Sequence, residues 1–395
     1  MIDEYRKSFN ENFSNEKYQA FLAALQESFL TIPFRVAETP VFIPKDLAEK
    51  LIAAGDEIVK LIQKEDFKRL TDAAIPDLWR VPSENIHPHF LTFDFGICKD
   101  QDGQLNPMLI EMQGFPSLYG FQLHLTKKFA ETYGLDKNLT PFFNGLDEAT
   151  YLKLLREVIL GKHQAHEVAL VDINALDQKT AIDFLVTQKY IGMKVLAIAD
   201  IFKEGKSLFY FDDGEKIRLK RIYNRLIFDE IADNPDVFKG NFDPRDELDI
   251  EWVTHPNWFY RISKYTMPLL KSKYVPETLF LNEILSIPAN LEDYVLKPLF
   301  SFAGMGVIID VKPEDITAIK DPENWILQRK VIYEPVVESP DGGVKVELRL
   351  MYLWPDDGIP QLCINLARMS KGKMIGVRYN KDFDWVGGTV GLMVR

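Results

Sequence analysis

The chain has 395 residues, 46% of them hydrophobic and 12% aromatic, enough apolar surface for two or three units sharing a large core, which excludes a disordered chain. A formal net charge of -12 argues against a nucleic-acid binder with a basic footprint, and two cysteines, Cys98 and Cys363, are too few for a disulfide framework or a metal cluster. The N-terminal stretch has no signal-peptide core and no apolar run approaches the ~20 residues that span a bilayer, so a cytoplasmic enzyme or binding protein is expected, with neither nucleic acid nor membrane as partner.

Ser14 is a capping residue ahead of good helix formers, and Asp46 to Gln63 places Leu47, Leu51, Ile58 and Ile62 on one helical face. Residues 1–89 are therefore a helical N-terminal region. His87-Pro88-His89 has two ligand-type side chains, but the proline holds the segment extended and no third ligand lies nearby, which favours a structural loop.

At Phe90 the pattern changes to strands. Phe90 to Gly96 alternates, Lys99 to Gly103 is turn chemistry, and Pro107 to Gln113 is a second strand. Asp94 lies in an apolar strand, and Glu111 and Gln113, two residues apart, leave the same face. Two carboxylates and an amide oxygen brought together by a hairpin form an all-oxygen site suited to Mg²⁺; polar strand ends simply left in solvent are the bland alternative. A small-residue loop containing Ser117 then leads into a helix that Gly134 can stop, and another helix runs from Asp147 to Leu160.

Val168 to Ile173, Gln178 to Tyr190 and Met193 to Ile201 form a βαβ period without a G-x-G-x-x-G fingerprint, so it is Rossmann-like in rhythm and not read as a dinucleotide site. Phe209 to Asp212 and Lys216 to Leu226 read as a hairpin, its second arm basic. That arm is either an edge strand protected by charge or a local positive patch, and Arg225 is the candidate for holding a substrate carboxylate. A helix over Arg261 to Met267 carries Lys264.

Tyr294 to Asp310 is the most telling stretch: a buried strand ending at Lys297, Pro298, a small-residue loop through Ser301, Gly304 and Gly306, and a strand over Val307 to Ile309. The glycines let backbone N–H groups approach an anion, and the strand that follows them excludes a P-loop, which needs a helix there. Trp325 to Val331 is a strand and exit whose backbone can pair with an adenine edge, Lys345 to Trp354 puts Glu347 and Arg349 on one face, and Arg368 lies in Ala367-Arg368-Met369-Ser370. Neither repeats nor low-complexity tracts are seen.

In order, these pieces resemble the ATP-grasp fold in its circularly permuted branch, which includes glutathionylspermidine synthetase and eukaryotic glutathione synthetase. The Phe93-Asp94-Phe95-Gly96 and Leu109-Ile110-Glu111-Met112-Gln113-Gly114 strands precede the Lys297-Pro298 and glycine loop, as in that branch, and the similarity covers roughly residues 90–122 and 257–395. The resemblance implies an α/β (α+β) chain: residues 1–89 helical, 90–165 with the metal-binding strands, 166–256 a Rossmann-like pre-ATP-grasp unit and 257–395 the nucleotide-binding domain. It implies ATP and Mg²⁺ as cofactors, Asp94, Glu111 and Gln113 on the metal, and Lys264, Lys297, Ser301, Gly304 and Gly306 around the phosphates. Gln328, Lys330 and Val331 would form the adenine hinge, Arg368 would face the transferring phosphoryl group, and Ser117 would lie on the substrate side. Three departures stand out: Gln113 replaces the family's Asn, Thr92 stands where some relatives carry Arg, and Met305 makes the loop less glycine-rich. The implied reaction is ADP-forming ligation of a carboxylate to an amine through an acyl phosphate, on an amino acid, small peptide or polyamine. A phosphotransferase or a non-catalytic nucleotide binder on the same fold are the alternatives, and the oligomeric state is not legible.

Overall fold

The computed structural model describes residues 1–27, 29, 31–228, 231, 238, 242–301, 304–372, 375 and 380–395; the loop positions Phe302 and Ala303 and most of the Met374 to Asn380 stretch lie outside the described residues. A mixed α/β architecture is built around one antiparallel sheet, in the order Gly387–Thr389, Gln361–Ser370, Gly342–Leu353, Phe90–Lys99 and Leu105–Gln113, with Pro335–Ser339 pairing alongside Gly342–Leu353. The Phe90–Lys99 strand is central and covered on both faces, which is why all of it but Lys99 is buried.

One face of this sheet carries Phe93, Phe95, Leu348 and Leu350, and helix Lys45–Ile62 lays Leu47, Leu51, Ala54 and Ile58 over it. The other face changes character along its length. Phe90, Met351, Leu353 and Ile364 pack against Tyr119, Tyr151 and Tyr223 at one end, and charged side chains gather at the other.

A second, all-parallel sheet runs Glu251–Val253, Arg221–Asn224, Val168–Asp172, Lys194–Ala197. Helix Ala181–Ile191 makes the crossover between the last two, as the βαβ rhythm predicts, and ends at Gly192, whose φ of 86° is left-handed. The basic arm expected over Lys216 to Leu226 divides at Lys220. Glu215–Leu219 stays in a small antiparallel sheet, and Arg221–Asn224 leaves it to enter the parallel one. Alternation alone does not reveal a strand that changes partners halfway.

A third sheet, Thr278–Phe280, Trp325–Arg329, Tyr294–Pro298, is antiparallel and carries the lysine strand at its edge. The strand expected over Val307 to Ile309 reduces to a single bridge, Ile308 with Leu296. The helix expected over Arg261 to Met267 is instead a short helix, Asn257–Arg261, and a 3₁₀ turn, Lys264–Leu269; Ser263 at the break accepts from the Tyr265 amide at 3.2 Å.

Gly55 of the long helix sits over Tyr352, where a Cβ would lie 2.0 Å from the tyrosine oxygen. Gly55→Leu is expected to destabilise the chain by about 1–3 kcal/mol in urea unfolding, despite leucine's higher helix propensity, because overpacking outweighs propensity at a helix–sheet contact.

Candidate active site

Register explains the charged patch. In the central sheet Arg349 lies opposite Asp94 and Asp94 opposite Glu111; one step along, Arg368 lies opposite Glu347 and Glu347 opposite Gly96. Directly paired residues share a face, so Asp94, Glu111, Glu347, Arg349 and Arg368 project together, with Thr92 and Gln113 beside them. A bulge between Asp94 and Phe95 leaves Ile110 out of the ladder, and its freed carbonyl accepts from Lys297 Nζ at 3.1 Å.

That bond joins residues 187 apart in sequence and brings the third sheet onto the charged face. Lys297 is buried, and burial, with the nearby Lys264 charge, pushes its pKa down to about 8 against the pull of Glu111. Burial also lowers the pKa of Lys264, whose Nζ donates to the Ser301 carbonyl at 2.9 Å. Glu111, Gln113, Ser263, Lys264, Phe300 and Ser301 line one small cavity between the two sheets.

Asp94 is buried and doubly held. Arg349 grips it through Nε to Oδ1 at 2.6 Å and Nη2 to Oδ2 at 2.7 Å, and Arg368 Nη2 bonds Oδ2 as well. Burial alone would disfavour the carboxylate, but the two guanidinium charges outweigh it and hold Asp94 below its usual 3.8. Burial shifts Glu347 upward, with Asp94 and Glu111 as negative neighbours adding to it and Arg368 opposing it; Tyr333 O–H donates to it at 3.0 Å.

Of the residues expected around the phosphates, Gly304 and Gly306 adopt left-handed φ of 72° and 71°, which suits a tight loop folded back toward Pro298. Of the residues expected to form a hinge, Gln328 is buried against Met267, and the Lys330 amide donates to Asp293 O at 2.7 Å. Val331 and Tyr333 lie over Gly96, where a Cβ would meet the Tyr333 ring at 2.8 Å. The segment from Val331 to Tyr333 thus crosses the charged face itself.

Ser117 and Arg225 belong to a neighbouring group around Phe115, at the loop that follows Gln113. Arg225 lies just beyond the carboxyl end of its parallel strand, with its guanidinium 4.6 Å from the Phe115 ring centre and 5.2 Å from that of Phe184. It is buried, and its Nε and Nη1 lack hydrogen-bond partners. Asp183 nearby accepts from the Leu118 and Phe121 amides at 3.0 and 2.9 Å, capping helix Tyr119–Tyr133, and burial raises its pKa.

The rest of the basic arm is otherwise occupied. Lys216 pairs with Glu204, Arg218 with Asp249 and Lys220 with Glu167 at the surface. Arg221 is buried, bonding Glu251 and two helix-end carbonyls. A larger cavity of about 600 Å³ lies here, at the amino ends of the parallel strands, lined in part by His89, Lys162, Arg221, Glu251 and Asp356. Its core is a closed clasp: Asp356 joins His89 at 2.8 Å and Arg221 at 3.0 Å, and Glu251 holds Arg221 and Lys162. His87 stacks on Trp354 and His89 bonds Asp356, and among the described residues no three His, Cys, Asp or Glu side chains are gathered as ready metal ligands.

For a divalent cation the donor chemistry at Asp94, Glu111 and Gln113 is suitable, hard oxygen throughout. Their present bonding is internal: Asp94 is held by arginines and Gln113 Nε2 donates to Glu111 at 3.1 Å. Arg349, Glu347 and Tyr333 are the residues that sequence reasoning left without roles. Alternation put Glu347 and Arg349 on one face, but only the strand register shows what they meet.

Asp94→Ala would leave two guanidinium groups without their shared carboxylate, and a loss of about 3–5 kcal/mol is expected in equilibrium unfolding. Because Asp94's folded pKa is depressed, its contribution is complete above the ordinary carboxyl value of 3.8 and is lost as pH falls through the folded value, so wild type and Asp94→Ala should converge in stability toward acid.

No family model matches the chain, and no curated protein matches its sequence. A solved structure, a glutathione synthetase-like effector (GSS30) from Globodera pallida in apo form, is similar over 98% of this chain and 97% of that one, with a TM-score of 0.64 and 10% identity. The chain therefore has a glutathione synthetase-like fold from end to end.

Proposed function

We propose that the chain is an ATP- and Mg²⁺-dependent carboxylate–amine ligase of circularly permuted ATP-grasp type. One observation carries the reading: two buried lysines from the late half of the chain, Lys264 and Lys297, stand beside Glu111 from the early half, with Lys297 bonded into the bulge that precedes it. Buried cations facing a carboxylate-bearing strand suit a polyphosphate with its metal, whose charge would complete the pairing.

In this reading Lys264 and Lys297 neutralise phosphate oxygens and Ser301, Gly304 and Gly306 fold over them. Gln328, Lys330 and Val331 border the adenine. The metal, held through Glu111, Gln113 and Asp94, would offset charge on the phosphates. Arg368, partly exposed at the cleft, faces the transferring group, where a guanidinium favours the more charged transition state. Arg225 takes the acid substrate: two orphaned N–H groups between aromatic rings invite a carboxylate, and Ser117 lies on the loop that borders it. The cleft's work is alignment and exclusion of water from an acyl phosphate, rather than nucleophilic attack by the protein. The amide that Gln113 directs to Glu111 favours a second reading, a nucleotide-binding protein without turnover.

The deciding experiment is a paired screen of amino acids, small peptides and polyamines, following ADP release with Mg²⁺. ADP is expected only when an acid and an amine are both present, with loss of all release in Lys297→Ala; ATP binding without release from any pair would favour the non-catalytic reading, and unchanged release in Lys297→Ala would remove the ligase site. The depressed Lys297 pKa adds a second outcome. A phosphate beside it would raise that pKa, so above pH of about 8 nucleotide binding should take up a proton and weaken with rising pH. Calorimetry in buffers of different ionisation enthalpy reads that uptake, and its absence from a chain that binds ATP would place the phosphates elsewhere.

A further inference from the structure

Two carboxylates on the charged face, Asp94 and Glu347, bond the same nitrogen, Nη2 of Arg368. Oxygens that share one nitrogen atom are close enough to share one divalent ion, and a guanidinium between them supplies the positive charge that such an ion would bring. We infer that Glu347 is a further member of the divalent-cation site, and that Arg368 holds the cation's place between Glu347 and Asp94 until the ion displaces it.

Four observations carry this. First, Asp94 has a second, bidentate partner in Arg349, so losing Arg368 leaves it still anchored and correctly aimed. Second, Arg368 is the less committed arginine. Its side chain is 33% exposed against 7% for Arg349, and its Nε is enclosed without a partner. Third, Glu347 is oriented from its far side by the Tyr333 hydroxyl, which bonds Oε2 and leaves Oε1 to the shared position. Fourth, Thr92 is buried on the same face, two residues before Asp94, and its hydroxyl lacks a partner. A water bound to the ion would donate to that hydroxyl oxygen. The inference rests on the metal-dependent reading above but reaches past it, because it gives Arg368 a role before the ion binds and adds a ligand that neither motif order nor spacing marks.

The test is Mn²⁺ binding to the nucleotide-free full chain, followed by the paramagnetic signal of free Mn²⁺. Wild type is expected to bind weakly and Arg368→Met about ten-fold more tightly, since the competing cation is gone. Adding Glu347→Gln to Arg368→Met should abolish the gain. Equal affinity in wild type and Arg368→Met, or a gain that survives Glu347→Gln, overturns the inference. Should the variants fail to fold, the wild-type chain still decides: saturating Mn²⁺ should speed phenylglyoxal labelling of Arg368 several-fold, with Arg349 unreactive throughout. No acceleration overturns the inference. The two readings fail separately, since a chain that shows these Mn²⁺ responses but binds no ATP loses the ligase assignment and keeps the shared ion. A chain that binds ATP and shows neither response does the reverse.

Discussion

Lys297 is held where an ammonium is costly. Its strand delivers it into the protein interior, desolvation draws its pKa down to about 8, and its Nζ is steadied by a bond to the Ile110 carbonyl. That carbonyl is free because the ladder between Phe90–Lys99 and Leu105–Gln113 bulges at Asp94. A single extra residue in one strand therefore both aims Glu111 and provides the seat for the lysine. The third sheet meets the charged face through this seat, and Lys264 on Ser301 ties the loop after the lysine strand to the 3₁₀ turn.

The charged face is stable because its charges alternate. Arg349, Asp94 and Glu111 lie in one row across the sheet and Arg368 and Glu347 in the next, so each buried carboxylate has a guanidinium beside it. The balance is uneven. The two guanidinium groups on Asp94 outweigh its burial and drive it below the usual range, whereas burial prevails at Glu347 and drives it above. Such a network holds its geometry at the expense of desolvation, and Arg368 is the more exposed of its two arginines.

The parallel sheet divides its labours between its two ends. At the amino ends, Arg221, Glu251, Asp356 and His89 close a clasp in which every charge has a counterpart; burial lowers the His89 pKa although Asp356 opposes it. At the carboxyl end Arg225 is left with unpaired N–H groups against two aromatic rings. One stretch of five residues, Arg221 to Arg225, thus supplies a structural arginine and an open one. Ligands of open parallel sheets gather outside the carboxyl ends of strands, and the open arginine is on that side.

The sequence alone determined the local structure: the cap at Ser14, the helix stop at Gly134, the βαβ rhythm, and the strands that bear Asp94, Glu111 and Lys297. These follow from periodicity and from the backbone preferences of single residues, which act over a few positions. Motif order also carried the likeness to a glutathione synthetase-like fold, which the structural similarity supports independently. What only the tertiary structure decided is pairing. The switch of Arg221 between sheets, the bulge that frees Ile110, the arginine grip on Asp94 and the guanidinium shared with Glu347 all depend on register between strands that lie far apart in sequence, and a one-residue slip in that register would send each of those side chains to the opposite face.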